Sequence, residues 1–226
     1  MSENWKLSPS DLTFLWDECK RCFYLKVRRG FSRPSTAFPK IFGTIDLLMK
    51  DIYLGESTRK MTDQLPEGKA IMSGKWVTST PFHGADHINS CFISGIFDTL
   101  VKFDDGSYGI VDFKTTKPAE HHVGFYGRQL HAYAYALENA MPGKLNFSPV
   151  TRIGLLCFDP SSMFEEPPAH LNLSGPATWV DIPVDMTGFK DFLEEVLTLL
   201  ESPEAPDPSP DCGFCAYRTA AQNLTD

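Results

Sequence analysis

Three charged residues on two neighbouring predicted strands are the residues of this chain best placed to carry out chemistry. Asp112 and Lys114 are two positions apart on one strand, so their side chains leave the same face of the sheet within about 7 Å. Asp98 lies on the preceding strand, and the loop between the strands ends at Gly106. A three-residue loop with Gly106 in the left-handed conformation places Asp98 opposite Asp112, whereas a two-residue loop would turn Asp98 to the other face.

Two carboxylates about 5 Å apart across a strand pair repel each other unless a cation lies between them. Apolar residues flank both acids on both faces of the strands, so these strands are predicted to be central. Mg²⁺ or Mn²⁺ suits buried carboxylate oxygens better than zinc does. Lys114 would then stabilise charge on a phosphorus centre, or help to orient and deprotonate an attacking water. The alternative is that Asp112 and Lys114 form an ordinary ion pair on an edge strand.

The helix that is predicted to follow Lys114 offers two further polar side chains. Gln129 and Tyr133 are four positions apart and share one helical face. A helix packed on the sheet at this point could aim both side chains at the carboxylates and at a bound phosphate. A tyrosine-rich amphipathic helix is also typical of an ordinary core.

The cysteines divide into two C-x-x-C pairs and two single residues. Cys91 and Cys157 stand alone in predicted strands, where a small buried side chain is expected. In a reducing compartment, paired C-x-x-C motifs suit either a tetrahedral zinc ion or a cubane iron–sulfur cluster, and the alternative is two unrelated pairs of free thiols. The paired cysteines are Cys19 with Cys22 and Cys212 with Cys215.

The distribution of charge predicts a local surface for nucleic acid. The net charge of -8 argues against a protein that coats nucleic acid over its whole surface. Residues 1–40, however, hold eight Lys or Arg against four Asp or Glu. Basic residues interleaved with aromatic ones predict contacts to phosphates and bases, and the alternative is a solvated helix end. The predicted DNA-binding residues are Lys20, Arg21, Lys26, Arg28, Arg29 and Arg33.

Length and hydrophobic patterning predict one α/β domain over residues 1–226, with a central mixed sheet flanked by helices. A strand–helix–strand unit implies a right-handed crossover and a parallel strand pair. Residues 1–40 form a basic helical segment, 41–200 the core, and 201–226 a proline-rich spacer with the second cysteine pair. The predicted helices are 8–30, 43–54, 125–140 and 188–200, and the predicted strands are 75–80, 91–103, 107–115, 152–158 and 179–183, with a loop at 159–176.

Two compositional features bear on location and on the cysteines. No stretch approaches the roughly 20 apolar residues that a membrane span needs, and the polar start predicts a cytoplasmic protein. Four prolines between 202 and 210 favour an extended spacer of about 3 Å per residue. This spacer is predicted to carry Cys212 and Cys215 to the first cysteine pair.

Taken together, three motifs resemble the PD-(D/E)XK nuclease superfamily, and specifically its RecB-like branch. They are Gly95-Ile-Phe-Asp98, Val111-Asp112-Phe-Lys114 and Gln129-Leu-His-Ala-Tyr133. With the two cysteine pairs, the chain is similar to the iron–sulfur RecB-like exonucleases, among them the CRISPR-associated ones.

The resemblance implies a restriction-endonuclease-like core that hydrolyses DNA phosphodiester bonds, typically from single-stranded ends. It implies metal ligation by Asp98 and Asp112, catalysis by Lys114, and support from Gln129 and Tyr133. It also implies a 4Fe-4S cluster at the four cysteines, a prokaryotic or viral setting, and partners in DNA repair or CRISPR adaptation.

Two departures from that family are visible. Many relatives place a histidine ligand after a glycine-threonine pair on the early helix, whereas here Leu47 takes that position after Gly43-Thr44. Asp46 is the predicted substitute ligand. The relatives commonly use one N-terminal and three C-terminal cysteines, and this chain has two and two. The alternative function is therefore a catalytically weak or inactive DNA-binding or scaffold module with the same fold.

Overall fold

The computed structural model of the protein describes residues 2–35 and 37–224, so residues 1, 36, 225 and 226 of the predicted domain lie outside the described residues. The predicted α/β architecture, a mixed sheet flanked by helices, is confirmed. In chain order the elements are β1 (Asn4–Leu7), α1 (Trp16–Glu18), α2 (Lys20–Arg29), α3 (Lys40–Tyr53), β2 (Gly68–Thr78), β3 (Phe82–His83), β4 (Ser90–Phe103), β5 (Tyr108–Thr115), α4 (His121–Glu138), β6 (Val150–Phe158), β7 (Ser162–Glu166), β8 (His170–Ser174), β9 (Ala177–Ile182), α5 (Met186–Glu201) and α6 (Gly213–Asn223).

Seven strands of the described chain form the main sheet, in the order β1-β4-β5-β6-β9, with β2 and β3 also paired to β4. Strand β4 runs antiparallel to β2, β3 and β5 and parallel to β1. Strands β5 and β6 are parallel and α4 connects them, which confirms the predicted parallel pair. The long strand β4 is therefore central, as predicted, and it carries Asp98 into the interior of the sheet.

Alternating side chains of β4 and β5 supply two apolar layers, one on each face of the sheet. Leu100 and Ile110 pack with the buried side chains of α4 and α5. Val101 and Val111 pack on the other face, in the same cluster as Met49 of α3. Each such buried aliphatic side chain stabilises the fold by about 2 kcal/mol. The two layers fix α4 and α3 on opposite sides of the strands that carry the acids.

The predicted helix over 8–30 is broken rather than continuous. A π-helical turn over Asp11–Leu15 leads into the short α1, and α2 begins only after Cys19. Cys19 has extended backbone angles, φ -166° and ψ 106°. The break was not predicted because the apolar spacing continues across it, and it turns the Cys19 sulfur towards the second cysteine pair.

Two other expectations about elements are wrong. The apolar spacing of the helix after residue 43 predicts that Leu48 and Ile52 face the core, but these side chains are 56% and 53% exposed, and only Met49 of α3 is fully buried. The predicted loop at 159–176 contains the antiparallel hairpin of β7 and β8. Leu48 and Ile52 line a groove together with residues of this hairpin, so they face it rather than the sheet.

No helix in the described part of the chain combines the length and the apolar character that crossing a lipid bilayer requires.

Candidate functional site

The β4–β5 hairpin has the predicted register. Gly106 has φ +88°, the left-handed conformation that the three-residue loop requires, and the backbone of Phe103 bonds to that of Ser107 at 2.9 Å. The regular pairing reaches Thr99 opposite Val111. One step further, Asp98 Oδ2 accepts a hydrogen bond of 2.9 Å from the backbone N–H of Phe113. The carboxylate of Asp98 thus lies at the Asp112 end of the hairpin, although the regular pairing ends one residue before the predicted pair of Asp98 and Asp112.

Gly95, the first residue of the motif that contains Asp98, allows a close approach of the chain. A Cβ atom at this position would lie 2.7 Å from Cδ of Pro9, nearer than real side chains come. The glycine therefore lets the N-terminal turn pack directly against β4.

Asp112 and Lys114 form a buried ion pair on β5. The Lys114 ammonium contacts Asp112 Oδ2 and lies 4.8 Å from the centre of the Tyr126 ring. Asp112 is only 2% exposed, and burial raises the pKa of its carboxyl to about 7; Lys114 opposes that rise and Asp98 adds to it. Burial alone would lower the pKa of Lys114, but Asp112 outweighs it and raises the pKa. The lysine is therefore held in its charged form.

Helix α3 brings Asp46 to the same place. Lys50, four residues later on this helix, donates to Asp46 Oδ2 at 2.7 Å and to Asp98 Oδ1 at 2.8 Å. Burial works to lower the pKa of Lys50, but the hydrogen bonds to Asp46 and Asp98 outweigh it and raise the pKa. Leu47, in the position of the family histidine, is 63% exposed. The site thus contains Asp46, as predicted, and also Lys50, which the sequence analysis missed although its i, i+4 spacing from Asp46 signals an ion pair.

A cavity of about 520 Å³ is lined by Asp46, Asp98, Asp112, Lys114 and Gln129. Three of these side chains come from β4 and β5 and the other two from α3 and α4, so the cavity lies where these four elements meet. All of the polar residues predicted for the site line it except Tyr133.

Gln129 and Tyr133 of α4 form a pair behind the acids. Gln129 Nε2 donates to the Tyr133 hydroxyl at 3.4 Å, and Gln129 Oε1 is buried without a hydrogen-bond partner among the described residues. Tyr133 is 5% exposed, and burial raises the pKa of its hydroxyl to about 12. Tyr133 therefore orients Gln129 rather than facing the cavity itself.

The donor set of the cavity fits a hard divalent ion. Its ligand atoms are carboxylate and amide oxygens, which Mg²⁺ and Mn²⁺ prefer. Asp112 Oδ2 makes no hydrogen bond within the described part of the chain beyond its contact with Lys114. Lys50 lies between Asp46 and Asp98 and is hydrogen-bonded to both.

Aromatic side chains form the rim of this cavity. Phe38 and Phe42 lie at the start of α3, 73% and 39% exposed, with ring centres 5.6 Å apart. Phe14 also lines the cavity, and its ring centre lies 5.9 Å from that of Tyr126. The sequence analysis missed these residues because single aromatic residues carry no periodic signal.

The four paired cysteines meet, as predicted, in a second site. Each pair begins just before a helix and ends in its first turn, at α2 for the first pair and at α6 for the second. All four side chains are buried, and all four sulfur atoms lie within 4.8 Å of one another. Cys91 and Cys157 are buried elsewhere, as expected.

Several of the predicted DNA-binding residues have partners within the protein. The Nη1 atoms of Arg28 and Arg21 donate to the carbonyls of Leu200 and Pro206, at 2.6 and 3.0 Å. Arg33 donates to the Cys212 sulfur at 3.4 Å.

The two lysines of the set are also engaged. Lys26 pairs with Asp11, and the Lys20 ammonium lies 4.6 Å from the centre of the Trp16 ring. Arg29 is exposed. The segment therefore binds the chain around residues 200–212 as well as offering charge to solvent.

Comparison with known proteins identifies the superfamily. A family model described as the PD-(D/E)XK nuclease superfamily matches residues 55–220, well over half of the chain. No curated protein matches this chain. Eleven chains of solved structures match, among them one described as "Crystal structure of SSO0001", which is 13% identical with a TM-score of 0.45 over 88% of this chain and 78% of that chain. On the extent of the match to the family model, the chain belongs to the PD-(D/E)XK nuclease superfamily.

Proposed function

We propose that the protein is a metal-dependent deoxyribonuclease that hydrolyses phosphodiester bonds and acts as an exonuclease on single-stranded ends. The observation that supports this proposal is the convergence of three carboxylates, Lys114 and Gln129 on one cavity at the edge of a buried hairpin. An ion pair that only stabilises a core needs no cavity beside it, whereas a substrate needs a cavity in which to bind.

Asp98 and Asp112 are the proposed ligands of a Mg²⁺ or Mn²⁺ ion, with Asp46 in place of the missing histidine. Such an ion polarises a phosphodiester oxygen and lowers the pKa of a bound water. The chain's own residues fix these carboxylates in place. Phe113 donates to Asp98, and Lys114 pairs with Asp112 and favours its ionised form against the burial that raises its pKa to about 7.

Lys114 is the proposed electrostatic catalyst rather than a general base. Its pairing with Asp112 raises the pKa of the ammonium, so the side chain has no tendency to accept a proton at neutral pH. A fixed positive charge in a poorly solvated cavity stabilises the negative charge that accumulates on a phosphate under attack. Gln129 Oε1, which has no hydrogen-bond partner among the described residues, would accept a hydrogen bond from the attacking water.

The rim favours DNA with unpaired bases. Exposed aromatic rings stack on bases at about 1–3 kcal/mol per base, and a base inside a duplex offers no free face. Phe38 and Phe42 are the exposed rings at this cavity. Arg21, Arg28 and Arg33 donate to the chain itself and Lys26 pairs with Asp11, so contacts to phosphates would fall mainly to the exposed Lys20 and Arg29.

A catalytically weak DNA-binding or scaffold module is the second candidate function, and one observation favours it. Lys50 places a positive charge between Asp46 and Asp98, where carboxylates would otherwise be open to an ion. The resemblance would give either form partners in repair or CRISPR adaptation in the cytoplasm of a prokaryote or in a viral infection.

Hydrolysis of end-labelled single-stranded DNA in Mg²⁺ or Mn²⁺ tests the proposal. We expect Asp112→Ala and Lys114→Ala each to lower the rate by about a hundredfold or more, because each removes charge that acts in the transition state. Asp104→Ala, an exposed acid on the same hairpin, is the matched control and should leave the rate unchanged. Equal residual cleavage by the wild type and all three variants would rule out the enzyme and leave the scaffold function.

A further inference from the structure

We infer that the four-cysteine site holds a single tetrahedral metal ion, zinc in particular, and not the iron–sulfur cluster that the family resemblance implies. The inference rests on the distances between the sulfur atoms and does not depend on the proposed nuclease activity. Cys22 Sγ lies 3.6 Å from Cys215 Sγ and 3.7 Å from Cys212 Sγ, and Cys19 Sγ lies 3.9 Å from Cys215 Sγ.

These distances match the edge of a small tetrahedron. Four thiolates bound to one zinc ion at about 2.3 Å lie about 3.8 Å from one another. In a cubane cluster each thiolate binds a different iron atom and points outwards from a corner, which separates the sulfurs by roughly 6 Å. No pair among the four exceeds 4.8 Å. The space between the sulfurs therefore suits one ion and is too small for four irons with their sulfides.

The surrounding structure holds the two pairs at this spacing. The chain that leads to Cys212 is bound along α2: the Tyr24 hydroxyl donates to Ser202 O at 3.0 Å, and Arg21 donates to Pro206 O at the same distance. Arg28 donates to Leu200 O at 2.6 Å. Moving the pairs apart by about 2 Å, as a cluster requires, would strain this set of contacts.

Arg33 supplies positive charge to the four-cysteine site, which four thiolates require around a zinc ion and around a cubane cluster alike. Four thiolates around Zn²⁺ leave two negative charges in a buried site, and such a site needs compensation. The Arg33 guanidinium donates to Cys212 Sγ at 3.4 Å and stacks 4.6 Å from the centre of the Phe214 ring. It also pairs with Glu18. We therefore assign Arg33 as a positioning residue of the metal site rather than a DNA contact.

The experiment is a metal and sulfide analysis of the full chain, purified without oxygen from cells supplied with ample iron. We expect one zinc ion per chain, no acid-labile sulfide, and, after replacement by Co²⁺, the visible bands of a tetrahedral cobalt thiolate. Stoichiometric iron and sulfide with brown absorbance would overturn the inference, and so would a protein whose cysteines bind no metal. This measurement uses the wild type and needs no variant to fold.

Two pairs of variants extend the test. Cys22→Ser should lose the zinc, whereas Cys91→Ser, at another buried cysteine, should keep it. Arg33→Gln should release zinc to a chelator about tenfold faster, because partners of metal ligands commonly affect affinity by this amount. Arg152→Gln, at an exposed arginine of β6 far from the four paired cysteines in the chain, should release it at the wild-type rate. Equal release by the two arginine variants would contradict the assignment of Arg33.

Discussion

At the scale of single residues, the site is a balance of charges in which lysines hold carboxylates in place. Hairpin parity was enough to predict that Asp98, Asp112 and Lys114 would meet, because side chains on paired strands alternate with a fixed period. The contact from Lys50 to Asp98 was not predictable, since it depends on how α3 packs against the sheet. The family resemblance predicted only Asp46, the other partner of Lys50.

Lys50→Met tests whether Lys50 and a divalent ion neutralise the same carboxylates, those of Asp46 and Asp98. Without divalent ions we expect a loss of about 2 kcal/mol in the free energy of unfolding, because Asp46 and Asp98 are left close together and unpaired. Saturating Mn²⁺ should remove most of that loss, as measured by urea unfolding.

The matched control for Lys50→Met is Lys60→Met, which breaks another i, i+4 pair, with Glu56, on the surface. Its effect should be small and independent of Mn²⁺. If Mn²⁺ leaves the Lys50→Met deficit unchanged, the carboxylates near Lys50 do not bind the ion.

The contacts of Glu201, which lies away from the cavity, predict that the stability of the protein depends on pH. Its carboxylate accepts hydrogen bonds from His87 Nδ1, Asn89 N and Asn89 Nδ2, each at 2.9 Å. Burial works to raise its pKa, but the hydrogen bonds from His87 and Asn89 hold the pKa below its ordinary value of 4.5. Because the folded state favours the ionised form, this stabilisation is complete above the ordinary pKa and is lost as the pH falls through the lowered one.

We therefore expect Glu201→Gln to reduce the free energy of unfolding by about 1 kcal/mol at pH 7, with the deficit shrinking below pH of about 4. Glu195→Gln, at an exposed position of the same helix, should show neither effect. Urea unfolding at a series of pH values measures both. A deficit that stays constant down to pH of about 2 would contradict the assignment of Glu201.

At the scale of elements, the long strands and α4 were predictable and the short or exposed pieces were not. Strands β4 and β5 are buried and strongly patterned, whereas β7 and β8 are mostly exposed and have too few core contacts to impose a period. The helix that carries Asp46 was predicted, but its buried face was misassigned. Its apolar side chains divide between the sheet, the β7–β8 hairpin and the rim of the cavity.

Removing the two exposed aromatic rings at the start of α3 tests whether the protein binds DNA through unpaired bases. We expect the double variant Phe38→Ala, Phe42→Ala to bind a single-stranded oligonucleotide at least about tenfold more weakly, because it removes two stacking surfaces. Binding to a blunt duplex should change little. Fluorescence anisotropy in Ca²⁺, which is chosen to limit cleavage, measures both affinities.

Phe164→Ala is the control for the rim, because Phe164 of β7 is 54% exposed and does not line the cavity. It should bind both oligonucleotides as the wild type does. Equal losses for single strands and duplexes in the rim variant would show that Phe38 and Phe42 act on affinity in general and not on the choice of strand.

At the scale of the whole molecule, the four-cysteine site joins the beginning and the end of the described chain. Both the meeting of the pairs and the extended spacer were predicted, because a proline-rich segment bridges distance without folding back. The basic residues around the first pair were predicted to bind DNA, and the carbonyls that Arg21 and Arg28 bind could not be foreseen from sequence. A sequence does not show which backbone carbonyl groups will accept hydrogen bonds from side chains.

Removing the metal should loosen one part of the molecule selectively. With a zinc-selective chelator in constant Mg²⁺, we expect a protease of broad specificity to cut first within residues 202–224, while the β4–β5 hairpin resists. Peptide mass spectrometry locates the cuts, and added zinc should restore protection. Cuts spread evenly along the chain would show instead that the metal stabilises the whole fold cooperatively.

The separation of the two cysteine pairs has a consequence for biosynthesis. Cys212 lies 190 residues after Cys22, so a ribosome makes the two halves of the metal site at very different times. Until the second pair emerges, the first two thiols have no complete coordination shell and remain open to oxidants and to foreign soft metals. A metal ion that binds all four cysteines would therefore load only after translation has passed residue 215, and prematurely terminated products would lack it.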